Sequence, residues 1–350
     1  MNARLLSLLL CLLAGAAQGQ GFAGLGTTAE GFAIPQRGHV LTFPDDHGAH
    51  PEFRIEWWYL TATLDGEDGR QYGVQWTLFR SALAPDPGGD GWATPQLWMG
   101  HAALTTPGTH HFDERLARGG IGQAGVTAAP FHAFIDNWDM KGEAGKGISV
   151  LDLRASGPDF AYDLQLSANL PLVLHGERGY SVKSPAGQAS HYYSQPSYEV
   201  AGTITLPDER VVAVTGQGWL DREWSSQPLA EDQSGWDWFS LSFDSGARMM
   251  GFRLRDRGAG FTAATWIAAD GTATALDDGL LRMTPLATAE VAGRKVPVRW
   301  QLELPGRGLD VTVSALNPDA WMGTSFPYWE GPVNVTGSHG GRGYLEMTGY

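Results

Sequence analysis

Sulfur chemistry has almost nothing to work with in this chain: its 350 residues hold one cysteine, Cys11. An internal disulfide and a multi-thiolate zinc centre are therefore excluded, and a thiolate nucleophile is not expected once Cys11 is read as part of a cleaved leader. Basic residues are scarce as well. Lys and Arg number 24 against 38 Asp and Glu, for a formal net charge of −14. The clustered basic face by which proteins track polynucleotides is missing, so no nucleic-acid partner is expected. An acidic surface also argues against anionic membranes. Long apolar runs are absent beyond Leu5–Leu13, which is shorter than the ~20 residues a membrane-spanning helix needs. No integral membrane protein is expected. There is no Walker-type phosphate loop, no G-x-S-x-G elbow and no zincin spacing.

What is present begins with MNARLLSLLLCLLAGAAQGQ. Arg4, the apolar run and the small residues Ala14 to Gly19 read as a secretory signal peptide over 1–20. Cys11 falls inside it, and Leu8, Leu9 and Leu10 do not suit a lipoprotein cleavage site. The expected location is secreted or periplasmic.

Strand signals dominate the remainder. Ile55–Leu64 and Gln71–Arg80 are rich in aromatic and β-branched residues and flank Asp65-Gly66-Glu67-Asp68-Gly69, which predicts a hairpin. A second hairpin, Gly235–Phe243 and Arg248–Arg255 around Asp244-Ser245-Gly246, echoes it about half a chain later. Further strands are expected at 147–155, 160–168, 197–206, 211–215, 262–268, 299–304, 309–315, 331–335 and 344–349, with one short helical stretch around Phe131–Met140. Forty-seven glycines with no collagen-like period fit the many turns this requires. The fold class is all-β, as tandem antiparallel barrels or sandwiches. A polar stretch at 176–195 sets the expected border, giving domains 21–190 and 191–350.

Fourteen tryptophans are distributed over the chain, many beside acids, as in Glu56-Trp57-Trp58, Glu223-Trp224, Trp236-Asp237-Trp238 and Trp329-Glu330. An indole beside a carboxyl strips away water and raises its pKa, which suits a general acid near neutral pH. The same pairs serve equally well as structural hydrogen bonds closing a barrel. The densest segment is Gly218-Trp219-Leu220-Asp221-Arg222-Glu223-Trp224. Strand alternation sends Trp219, Asp221 and Glu223 one way and Leu220, Arg222 and Trp224 the other. Mutual repulsion between Asp221 and Glu223 would then lift one of them, unless Arg222 bridges to one. His191 and Tyr193 share a side of an extended chain and could orient or relay a proton. Asp45, Asp46, His47 and His50 could hold a cation, although a polar loop capping a barrel accounts for them as well.

Eight ordered segments carry a family likeness: Phe43–His47, Glu56–Tyr59, Tyr72–Arg80, His191–Ser194, Gly218–Trp224, Gly235–Phe239, Tyr328–Gly331 and Gly343–Tyr350. Together they resemble the carotenoid 1,2-hydratase (hydroxyneurosporene synthase-like) family and its exported AttH-like relatives. The resemblance implies two lipocalin-like barrels and a cofactor-free, hydratase- or hydrolase-like reaction on a hydrophobic isoprenoid or lipid-like substrate. An aspartate protonates a C=C bond, and water traps the carbocation. By that likeness Asp221 is the acid, with His191 and Tyr193 assisting. Trp219, Trp224, Glu56, Trp58 and Trp238 are expected at the ligand, and no metal site is expected. Trp219 stands where the hydratases would place a tyrosine. The alternative from the same likeness is a non-catalytic carrier of a lipophilic ligand, associated with an ABC transporter.

Overall fold

The computed structural model describes residues 30–350 apart from 87, 90, 228, 230 and 231. The expected signal peptide lies outside these residues. The first sheet contains β1 (Ile55–Gly66), β2 (Gln71–Ala82), β3 (Gln96–Thr105), β4 (His110–Arg118), β5 (Ala124–Ala128), β6 (Phe131–Ile135) and β7 (Trp138–Gly142). It continues through β8 (Val150–Gly157), β9 (Phe160–Ala168), β10 (Val173–Leu174), β11 (Tyr180–Val182), β12 (Ala189–Thr205) and β13 (Val211–Ser225). The second sheet contains β14 (Gly235–Phe243), β15 (Arg248–Arg255), β16 (Phe261–Ile267), β17 (Ala273–Leu276) and β18 (Arg282–Val291). It ends with β19 (Arg294–Leu304), β20 (Leu309–Ala315), β21 (Trp321–Met322), β22 (Tyr328–Gly337) and β23 (Gly341–Met347).

Every pairing is antiparallel, and each sheet curls into a near-barrel. The order in the first is β4-β3-β2-β1-β13-β12-β9-β8-β7-β6-β5; in the second it is β17-β16-β15-β14-β23-β22-β20-β19-β18. Alternation along the strands fills both interiors. Trp58, Leu60, Ala62 and Leu64 of β1 enter the first core. Phe239 and Leu241 of β14 and Leu345 and Met347 of β23 enter the second. The all-β expectation is met, including both long hairpins. The short helix expected at Phe131–Met140 is instead the hairpin β6–β7. Its FHAFI run alternates buried and half-buried positions, and Asp136 takes a left-handed φ of 54° at the turn.

Strands β12 and β13 pair within the first sheet, β13 directly with β1. Sheet membership therefore changes in the 226–234 connection. We propose that connection as the border, in place of the one expected between residues 190 and 191. The outer faces of β1 and β2 pack against β23 and β22 respectively, which joins the two barrels side by side.

Candidate active site

The seam between the barrels holds a cavity of about 120 Å³. An apolar void of ~150 Å³ accommodates a benzene ring, so this space suits one ring or one prenyl group. The first sheet contributes Trp57 and Phe79 to its wall; the second contributes Trp236, Trp238 and Phe252. Polar groups at the wall include Tyr192, Asp221, Glu223, Lys183 and Glu346. Among the described residues no helix is long and apolar enough to cross a membrane.

Asp221 reaches this wall because β13 alternates. Gly216 and Gly218 let β13 lie close to its neighbours: a Cβ on Gly216 would sit 2.1 Å from the Thr63 carbonyl oxygen. Beyond them Trp219, Asp221 and Glu223 face the seam, while Leu220 and Trp224 enter the first core. Arg222 stacks over Trp58 on that inner side, 3.8 Å from the ring centre. The Asp221 carboxylate accepts hydrogen bonds from the Tyr192 hydroxyl at 2.6 Å, the Trp219 indole at 2.6 Å and Ser194. It is 2% exposed. Burial pushes its pKa up to about 7 against the pull of those three donors, with the Glu223 charge adding to the rise. Ser194 also meets His175 Nε2 at 2.6 Å, and His175 Nδ1 lies 2.8 Å from Thr265 Oγ1 of the second sheet. Burial holds His175 down to about 3, so the ring is neutral near pH 7.

The sequence-predicted residues divide between two faces. Asp221, Trp219 and Trp238 gather at the seam, where Trp238 is a wall residue. His191 and Tyr193 lie on the opposite face of β12 from Tyr192, because adjacent strand residues point in opposite directions. His191 packs with His39, Phe53 and Trp224. Burial lowers its pKa to about 4. The Tyr193 hydroxyl contacts His47 Nδ1 at 2.7 Å. Trp224, Glu56 and Trp58 are on this inner side as well. Trp224 stacks on His50 at 4.0 Å, and the Trp58 indole donates to the His47 carbonyl. Glu56, fully buried, pairs with Arg80 and with Arg222 at 3.0 Å. Arg222 thus bridges to Glu56, not to Asp221 or Glu223.

The Asp45–His50 loop caps this barrel end. His50 is held between Asp46 and Glu56, at 3.1 Å from each. Among the described residues no cluster of three or more His, Cys, Asp or Glu is arranged to hold a metal.

Several residues at the seam were not singled out from sequence. Tyr192 and Ser194 sit between or beside the two residues that were, and the register that pairs Ser194 with Asp221 is not readable from sequence. Glu346 lies within the Gly343–Tyr350 segment and accepts the Trp236 indole N–H at 2.6 Å, a contact between distant parts of the chain. Tyr59 donates to Glu330 at 2.6 Å.

A family profile described as AttH-like matches residues 34–350. The crystal structure of an AttH protein from Nitrosomonas europaea is 34% identical, with a TM-score of 0.80, over 91% of this chain and 100% of that one. Kievitone hydratase from Nectria haematococca has the same fold at 17% identity and a TM-score of 0.69, over 91% of this chain and 95% of its own. No curated protein sequence matches the chain.

Proposed function

The chain belongs to the AttH-like family, and on that premise we propose that it is an exported, hydratase-like enzyme acting on a small hydrophobic alkene. Asp221 is the acid. It protonates the C=C bond of an isoprenoid or lipid-like substrate, and water adds to the resulting tertiary cation. The observation that carries this reading is a buried carboxyl at the wall of an aromatic cavity, with its pKa raised to about 7. Such a group keeps a proton near neutral pH and is acidic enough to release it. The indoles of Trp57, Trp236 and Trp238 would stabilise the cation through their ring faces, worth roughly 2 kcal/mol when desolvated. Tyr192, Ser194 and Trp219 aim the carboxyl. His191 and Tyr193 act by packing the opposite face of β12. That the structurally similar Nectria haematococca protein is a hydratase accords with this chemistry.

The test uses citronellol, whose trisubstituted alkene is prenyl-sized, and chromatographic detection of the tertiary alcohol. Hydration by the native chain and its loss in a folded Asp221→Asn variant is the expected result. Equal turnover in that variant removes Asp221 from the chemistry. The apolar wall would also serve a carrier, and a tightly retained, unchanged lipid in native mass spectrometry, without turnover, would favour that role.

A further inference from the structure

Each wall of the cavity supplies a carboxyl from a different sheet. Asp221 comes from β13, and Glu346 from β23. Along β23, Leu345 and Met347 enter the second core, which turns Glu346 and Thr348 to the seam. Glu346 pairs across the strands with Trp238. The Trp238 indole N–H reaches the Tyr192 hydroxyl, and Tyr192 donates to Asp221. The two acids therefore flank one indole–phenol pair.

Their settings differ. Asp221 is covered, with its oxygens engaged by three donors. Glu346 keeps part of its surface open, with the Trp236 N–H as a donor that favours its ionised form. A covered acid can hold and aim a proton. A half-buried carboxylate at the cavity wall can receive a water molecule.

We propose that Glu346 is a second catalytic residue, the base that holds the attacking water and takes its proton. This rests on the reading of Asp221 as the acid. The Asp221 O–H bond breaks as the alkene π pair forms a C–H bond at the less substituted carbon. A water lone pair then forms the C–O bond at the tertiary cation, and that water's proton passes to Glu346. One proton leaves Asp221 and one arrives at Glu346. Proton exchange through solvent restores the starting state, so the net change is alkene plus water to tertiary alcohol. Burial raises Glu346 to about 7, with Asp221 and Glu223 adding to the rise. Glu330, its cross-strand neighbour, is pushed well up by burial and by Glu346.

The experiment separates protonation from water capture. Citronellol is incubated in deuterated water with the native chain, Asp221→Asn and Glu346→Gln, and both the alcohol and deuterium in recovered alkene are measured. Glu346→Gln is expected to lose hydration about 100-fold, in the range of general-base contributions, while still exchanging deuterium into the alkene. Asp221→Asn is expected to lose both. Hydration by Glu346→Gln at the native rate overturns the base role and leaves the reading of Asp221 standing. Loss of both signals in a folded Glu346→Gln variant also overturns it, because that places Glu346 in the protonation step. A native chain that yields neither alcohol nor deuterium overturns the hydratase reading, and this inference with it. Trp236→Phe supplies a readout independent of the isosteric variant. Losing the indole donor raises the Glu346 pKa, so the acidic limb of the pH–rate profile moves to higher pH. Glu330, Tyr59, Asp221 and Glu223 face the same carboxyl and are retained. An unmoved limb overturns the assignment.

Discussion

Trp238, in the first strand of the second sheet, donates its indole N–H to the Tyr192 hydroxyl of the first at 3.1 Å. Tyr192 passes the polarity on to Asp221 at 2.6 Å. The hydrogen-bond chain to Asp221 thereby crosses the seam. Tyr192→Phe deletes a donor that favours the ionised carboxylate, so the Asp221 pKa rises further. The acid then stays protonated to higher pH, and the alkaline limb of the pH–rate profile should move up by about one unit. Trp238→Phe should move it in the same direction by less. A limb that stays in place in Tyr192→Phe would detach this hydroxyl from the acid.

Asp221 also links stability to pH. Its folded pKa, about 7, lies above its unfolded value. Between the two, the native state binds more protons than the unfolded chain, so this group's contribution declines as pH rises from about 4 through 7. Asp221→Asn removes that dependence. Relative to the native chain, the variant should be more stable at pH 8 than at pH 5, by a few kcal/mol. Urea denaturation at both values measures the difference, and a variant that tracks the native chain at both would show an unperturbed carboxyl.

Each barrel interior holds one buried acid opposite an arginine on the next strand. In the first, Glu56 faces Arg80. In the second, Asp237 faces Arg253, with a 2.8 Å contact, and also meets Arg255. Breaking a buried pair leaves uncompensated charge and costs about 3–5 kcal/mol. Glu56→Gln and Asp237→Asn should each lower stability by this order in chemical denaturation. Arg80 first, then the His50 hydrogen bond and Arg222, hold Glu56 well below the usual carboxylate range against its burial. Its contribution is therefore complete above about pH 5 and is lost as pH falls through the lowered folded value. Glu56→Gln should flatten that acidic dependence. A variant as stable as the native chain would mean the arginines find other partners.

His191 offers the converse test. It packs with His39, Phe53 and Trp224, away from the cavity. His191→Ala should lower the melting temperature while kcat/KM for citronellol stays within about twofold. A rate loss of about 100-fold at unchanged melting temperature would bring the histidine into the reaction.

Much of the scaffold was readable because period-two patterning is local. The hairpin Gly235–Phe243 and Arg248–Arg255 matches β14 and β15, and the alternation around Asp221 put that carboxyl beside Trp219 and away from Arg222. The same rule explains what was not readable. An acid next to a tryptophan in a strand points away from it, so Glu56-Trp57 and Asp237-Trp238 each split between a barrel interior and the seam. Within one strand a spacing of two, as in Trp219 and Asp221, brings indole and carboxyl together. His191 and Tyr193 were one residue out of phase with the acid, since choosing between them and Tyr192 requires the β12–β13 register. Glu346 finds its indole in Trp236, a partner fixed only when β23 pairs with β14. The alternating FHAFI run reads as helix in sequence because a two-residue turn at Asp136-Asn137 leaves little punctuation.

The pairing of β13 with β1 has a consequence for synthesis. By Ser225 every described strand of the first barrel is present, so that half has its complete sheet before the second half follows. Its flank bearing Trp57, Tyr59 and Phe79 then faces water until β22 and β23 arrive to cover it. An uncovered aromatic flank is an adhesive one. Strand β23 therefore has a protective duty alongside its place in the pocket, and a chain truncated before it would be the form most prone to self-association.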